Sequence, residues 1–237
     1  MIKLNGIKVG DKFFPNGELN LLDINEATVT DLSYHSLTIK YHSDKDLMAL
    51  YFIKKYLDSV NDGKEIHLEV AYMPYSRMDR AETPETPFML SYVAEFINGL
   101  NFSKVNVYEP HSQVTVDLLD NVTPYYHNDY LFEAVRETEE FLEIVDYLVF
   151  PDAGAMKRYE GTSIKAQNTL YGNKTRDFTT GRITGLELVG DMSNINSLAT
   201  AVIVDDLSSF GGTFVKTSEK LRELGFKRIV LLVFHAE

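Results

Sequence analysis

Apolar residues recur at helical spacing through Asp46 to Val60, where Leu47, Leu50, Tyr51, Ile53 and Leu57 fall on one face, so an amphipathic helix is expected there. Ile66 to Tyr72 then reads as a strand that ends by Pro74. Pro87 to Leu100 predicts a second amphipathic helix, with the proline in the tolerated first turn, and Lys104 to Tyr108 a second strand. After about residue 130 the alternation resumes. Tyr147 to Phe150 is a short apolar strand before Pro151, Ala201 to Val204 is wholly apolar, and so is Ile229 to Phe234. Between the last two, Thr213 to Leu224 predicts a helix closed by Gly225 at the C′ position. Continuous apolar strands joined by helices imply mainly parallel sheets covered on both faces. The expectation is an α/β protein with an N-terminal half over residues 1–130 and a C-terminal half over 131–237.

Composition narrows the function classes. A chain of 237 residues with 44% apolar and 24% charged positions can bury a sizeable core. The formal charge of −12 argues against general binding to nucleic acid or to an anionic membrane, so any phosphate site must be a local basic pocket. Cysteine is absent, which removes disulfides and thiolate metal sites and suits a cytoplasmic location. There is no signal-peptide-like start and no run of roughly 18 apolar residues.

The richest local signal runs from Ala201 to Thr213. A buried strand delivers the adjacent carboxylates Asp205 and Asp206, and a turn rich in small residues, Ser208-Ser209-Phe210-Gly211-Gly212, leads to a helix. Ligands in open α/β sheets sit beyond the carboxyl ends of strands, and a helix N-terminus offers unpaired N–H groups to phosphate. Paired carboxylates suit the hydroxyls of a ribose. Taken alone, the same residues also suit a plain strand-to-helix turn capped by Asp and Gly.

The segment is similar to the signature of phosphoribosyltransferases and of ribose-phosphate pyrophosphokinases, in which two acidic residues precede Asp-Thr-Gly-Gly-Thr. Here those five are Ser209-Phe210-Gly211-Gly212-Thr213, which depart at the first two positions. Further segments, in order along nearly the whole chain, resemble the ribose-phosphate pyrophosphokinase family specifically. Phe14-Pro15-Asn16-Gly17-Glu18 resembles its Phe-Pro-Asp-Gly-Glu, and the resemblance implies that Phe14, Asn16 and Glu18 contact the adenine of ATP. Pro74-Tyr75-Ser76-Arg77-Met78-Asp79-Arg80 resembles its ATP-binding segment, with Arg77 and Arg80 on phosphate oxygens and Asp79 orienting one of them. His111, in Glu109-Pro110-His111-Ser112-Gln113, matches a metal-associated histidine, and Asp152, in Phe150-Pro151-Asp152-Ala153-Gly154-Ala155-Met156-Lys157-Arg158, a metal-linked aspartate suited to Mg²⁺. Read without the family, Asp152 caps the helix that follows, and Arg77-x-x-Arg80 is a solvated surface loop. Tyr171-Gly172-Asn173-Lys174-Thr175-Arg176-Asp177 falls where the family carries a mobile catalytic loop. Simple phosphoribosyltransferases do not share this Lys-x-Arg, so Lys174 and Arg176 discriminate most.

The resemblance therefore implies two phosphoribosyltransferase-like α/β halves and transfer of the β,γ-diphosphate of ATP to the C1 hydroxyl of ribose 5-phosphate, releasing AMP with Mg²⁺ present. Lys174 and Arg176 would neutralise developing charge, and Asp205 with Asp206 would hold the ribose. Ser209, Phe210, Gly211, Gly212 and Thr213 would surround its 5-phosphate. Phe210 removes a hydroxyl donor and adds a ring, so an extended acceptor such as ADP-ribose is the alternative, and the Ser-Arg-Met-Asp-Arg run resembles phage-encoded members linked to NAD reconstitution. A non-catalytic regulatory paralogue and a phosphoribosyltransferase are the other readings, and the latter leaves Arg77, Arg80, Lys174 and Arg176 without a use. A homo-oligomer, dimer or hexamer, is implied. Relative to the family, the chain stops early, after Phe234-His235-Ala236-Glu237.

Overall fold

In the computed structural model, residues 1–22, 24, 32–60, 63–126, 133, 134, 137, 146–159, 167–176, 183–196 and 198–236 are described. The chain divides into two units, Met1–Tyr126 and His127–Glu237.

The first unit is built on the sheet order β2-β1-β5-β6-β7-β8. Strands β1 (Ile2–Leu4) and β2 (Ile7–Lys8) form a hairpin, and β1 runs antiparallel to β5 (Tyr34–Lys40). From there β5, β6 (Glu65–Tyr72), β7 (Lys104–Tyr108) and β8 (Val122–Tyr125) are all parallel. A separate hairpin pairs β3 (Gly10–Phe13) with β4 (Leu19–Leu22). Helices α1 (Asp44–Val60) and α2 (Met89–Gly99) bury Leu50, Ile53, Leu57, Leu90, Val93 and Ile97 in the core that also holds Leu37, Leu68 and Val107. A shorter helix α3 (Gln113–Leu118) follows β7.

The strands of this unit are not apolar on both faces as expected. β5 and β6 alternate strictly, with His35, Leu37, Ile39, Ile66, Leu68 and Val70 buried and the intervening positions half-buried or exposed. The second face is polar. There the Glu69 carboxylate accepts hydrogen bonds from Asn106 Nδ2 at 2.7 Å and from the Tyr108 hydroxyl at 2.8 Å. Pro87 also lies outside helix α2, whose N-cap is Phe88.

The second unit has the sheet order β11-β10-β9-β12-β13. Strands β9 (Tyr147–Phe150), β10 (Asn168–Arg176), β12 (Thr200–Ser208) and β13 (Arg228–Ala236) are parallel, and β11 (Ile183–Gly190) is antiparallel to β10. Here the expectation of strands buried on both faces is met by β9 and by the apolar part of β12, whereas β13, at the edge of the sheet, is mostly half-buried and exposes Leu231. Tyr147, Val149, Ala201 and Ile203 pack into one core with Phe214 and Leu221 of helix α5 (Gly212–Glu223), and Leu148, Phe150, Val202 and Val204 pack into another with Ala155 and Tyr159 of helix α4 (Ala153–Tyr159). Helix α5 ends as expected at Gly225, whose φ of +105° is the left-handed closing conformation. Both sheets are mostly parallel, and the fold class is mixed α/β.

Candidate functional site

In the first unit, the expected residues gather at turns beyond the strand ends. Phe14-Pro15-Asn16-Gly17-Glu18 is the turn of the β3–β4 hairpin. The Phe14 N–H donates to the Glu18 carbonyl at 2.9 Å, and the Glu18 N–H to Asn16 Oδ1 at 3.2 Å. Phe14 is half exposed and borders a cavity of about 650 Å³ lined also by Gly17, Glu18, Lys45, Met48 and Phe52. Aromatic and thioether walls with a carboxylate at the rim suit a planar heterocycle with a polar edge.

Residues 74–80 follow β6, and His111 follows the neighbouring parallel strand β7, so both segments leave the sheet at the same carboxyl edge. Tyr75 adopts a φ of +59°, uncommon for a side-chain-bearing residue. Its hydroxyl donates to Asp44 Oδ1 at 2.8 Å, and Tyr41 donates to the same oxygen at 2.8 Å. The hydrogen bond to Asp44, then burial, raises the Tyr75 pKa, so the phenol stays a donor. This clamp ties the turn to the start of α1 and leaves Arg77 and Arg80 projecting to solvent. Asp79 meets Arg80 Nε at 3.2 Å. His111 is half-buried just before the Ser112 N-cap of α3.

In the second unit, the residues converge around the ends of three adjacent strands. Asp152 follows β9, and its Oδ1 accepts the Ala155 N–H at 2.9 Å, so it does cap α4. Its Oδ2 accepts from Lys174 Nζ at 2.7 Å. Burial works to raise the Asp152 carboxyl, but Lys174 and the Ala155 N–H outweigh it and hold it below the usual range. Lys174, expected in a mobile loop, instead lies in strand β10, paired with Leu186 of β11. The pairing with β11 carries the strand through polar residues that read as a loop in one dimension. Arg176 closes β10 opposite Ile183, and the role expected for its side chain, like Asp177, lies outside the described residues.

Strand β10 reaches this position because residue 172 is glycine. A Cβ there would sit 2.3 Å from the Pro151 carbonyl oxygen and 2.8 Å from Leu186 Cδ1, so no side chain fits without displacement of the Pro151-Asp152 turn.

Asp205 and Asp206 lie within β12, which runs on to Ser208 because β13 pairs with it as far as Ala236. Arg158 of α4 contacts the Asp206 carboxylate directly and lies 3.5 Å from Asp205 Oδ1. Burial works against the Arg158 charge, while Asp206 above all, with Tyr159 and Asp205, raises its pKa. Asp205 is pushed up to about 7, chiefly by burial and then by Asp206, with Arg158 opposing. Beyond the strand, Ser209 is half-buried and Phe210 is fully exposed at 102% of its reference area. Gly211 has a φ of +72° at the N-cap of α5, which an L side chain rarely adopts. Gly212 opens the helix, and Thr213 accepts the Thr217 hydroxyl at its carbonyl, 2.9 Å away.

Sequence reasoning assigned no role to Arg158, although the signal was present. Ala155, Arg158 and Tyr159 stand at i, i+3 and i+4, one face of a short helix directed at the sheet. For a metal, no cluster of three or more His, Asp or Glu side chains exists among the described residues. Mg²⁺ does not need one, because it binds through one or two carboxylates together with waters and substrate phosphates. Asp152, its side chain 43% exposed, fits that donor set.

No family model matches the chain. Curated relatives do. The chain is 27% identical over 236 residues to a ribose-phosphate pyrophosphokinase of Saccharolobus solfataricus, covering 97% of this chain and 76% of that protein. It is 26% identical over 235 residues to a ribose-phosphate pyrophosphokinase of Pyrococcus abyssi, covering 98% and 77%. Among solved structures, phosphoribosylpyrophosphate synthetase from Mycobacterium smegmatis superposes with a TM-score of 0.69 at 19% identity, over 97% of this chain and 72% of that one, which shows a shared fold. Along almost its whole length the chain is similar to curated ribose-phosphate pyrophosphokinases.

Proposed function

We propose that the protein transfers the β,γ-diphosphate of ATP to the C1 hydroxyl of ribose 5-phosphate, or of a 5-phosphoribose derivative such as ADP-ribose, and releases AMP. The observation that carries this reading is the gathering of Lys174, Asp152, Arg158, Asp205 and Asp206 around three neighbouring strand ends of one unit, with Lys174 on Asp152 and Arg158 on the aspartate pair. The relatives' name supplies the reaction class.

In this reaction the C1 oxygen bonds to the β-phosphorus while the bond from that phosphorus to the oxygen retained by AMP breaks. Such transfer depends on positioning and on charge stabilisation rather than on a covalent enzyme intermediate. Lys174 supplies fixed positive charge, with Arg176 assigned the same role. The Asp205-Asp206 segment is assigned to the ribose hydroxyls, and the N–H groups at the start of α5, freed by Gly211 and Gly212, receive the 5-phosphate. Asp152 would hold Mg²⁺, which would supply neutralising charge for the polyphosphate, and His111 of the first unit is the other residue assigned to metal. Phe14, Asn16 and Glu18 are assigned to adenine, and Arg77, Asp79 and Arg80 to the ATP phosphates. A homo-oligomer and a cytoplasmic location belong to the same reading. Among the described residues, no helix is long and apolar enough to cross a membrane.

The fully exposed ring of Phe210 supports an acceptor that extends beyond the 5-phosphate, because an adenine can stack on it. AMP release measured with ribose 5-phosphate and with ADP-ribose tests both levels of the proposal. Turnover with either supports diphosphotransfer, and clear preference for ribose 5-phosphate removes the extended acceptor. Lys174→Ala is expected to keep ATP binding while kcat falls by about 10²- to 10³-fold. Unchanged kcat would remove Lys174 from the mechanism.

A further inference from the structure

The two aspartates of β12 are adjacent, and both carboxylates reach the same nitrogen of Arg158 on helix α4. Their surroundings nonetheless differ. The Asp206 side chain is 4% exposed and in contact with Arg158, whose own side chain is 11% exposed, while Asp205 is 16% exposed and stands 3.5 Å from the same guanidinium nitrogen.

We infer that the aspartates divide their work and that Arg158 is the residue that divides it: Arg158 pins Asp206 from the α4 side as a buried ion pair, leaving Asp205 to present its carboxylate to the acceptor's vicinal hydroxyls. The inference rests on the acceptor being a 5-phosphoribose.

The physical reasons are linked. A buried carboxylate needs a partner, and a guanidinium meets it with a planar fork that a lysine lacks. With Asp206 so held, two neighbouring negative charges are not presented together to an anionic ligand. Asp205 keeps its H-bonding capacity and is oriented locally, its Oδ1 accepting the Asp206 N–H at 2.9 Å. Its raised proton affinity, from burial and from Asp206, agrees with a carboxyl whose nearby cation, Arg158, is engaged more closely by Asp206. Arg158 is thus a positioning residue, acting on the acceptor through the aspartates.

The test is calorimetric binding of ribose 5-phosphate and of ADP-ribose, with ATP as the control ligand and melting temperature as a second readout, for the wild type, Asp205→Asn, Asp206→Asn, Arg158→Met, Arg158→Lys and the double variant Arg158→Met/Asp206→Asn. Asp205→Asn is expected to weaken acceptor binding by tenfold or more with little change in melting temperature. Asp206→Asn and Arg158→Met are each expected to lower the melting temperature, because each strands a buried charge, and the double variant to regain much of that loss. Arg158→Met also weakens acceptor binding without weakening ATP binding, and Arg158→Lys restores part of it. Acceptor binding weakened at least as much by Asp206→Asn as by Asp205→Asn overturns the division, and so does acceptor binding untouched by Arg158→Met. A wild type that binds neither acceptor overturns the diphosphotransfer reading instead, so the two failures are told apart.

Discussion

At the scale of single residues, Asp205 makes the site sensitive to pH in a direction that can be worked out. Burial, and then the Asp206 carboxylate, raise its pKa from 3.8 to about 7, against the pull of Arg158. The folded protein therefore holds a proton there that the unfolded chain releases. Its stabilising contribution is fully present below about pH 4 and is lost as pH rises through about 7. Measured against Asp205→Asn, which cannot titrate at this position, the wild type should be relatively more stable at pH 5 than at pH 8. Acceptor affinity should run the other way, rising through the same window as the carboxylate ionises, and a pH series of melting and binding curves reads both. The pair of aspartates was legible in the sequence, because adjacent carboxylates at the end of an apolar strand are unusual. Their inequivalence was not, since it arises from Arg158, some fifty residues earlier in the chain and brought alongside only by the sheet.

At the scale of elements, legibility tracked how fully each strand is buried. Strand β9 was readable to its ends, Tyr147–Phe150, because all its residues are buried and apolar. Strand β12 was foreseen only over Ala201 to Val204, since aspartate is a poor strand former, and the structure extends it to Ser208 through its ladder with β13. The β10–β11 hairpin was missed because Asn173, Lys174 and Thr175 carry no apolar alternation. The β1–β2 hairpin could have been found from Asn5-Gly6, whose φ values of 51° and 83° are those of a tight primed turn. Gly172 shows why the hairpin sits where it does. Gly172→Ala places a methyl against the Pro151 carbonyl, and is expected to cost roughly 1–3 kcal/mol in a urea titration. It should also lower kcat by spreading Lys174 from Asp152, which Asp152→Asn in the same background would fail to lower further to the same extent.

At the scale of the whole molecule, a chain of net charge −12 for which anionic ligands are proposed must concentrate its useful cations. In the first unit Arg77 and Arg80 are carried on the turn clamped by Tyr75 and Asp44, and in the second Lys174 and Arg158 are held on Asp152 and Asp206. Each unit closes its own hydrophobic interior, so the chemistry of each can be probed without dismantling the other's packing.

The bare ring at position 210 gives one more handle. The chain contains no tryptophan, so Phe210→Trp would be the sole indole in the protein and would start out fully wetted. Its fluorescence would report directly on what settles beside the turn: a blue-shifted, quenched emission when ADP-ribose is titrated in, and an unchanged spectrum with ribose 5-phosphate, would register adenine arriving at that spot in real time. An indole that stays red-emitting with both sugars would leave the ring a bystander.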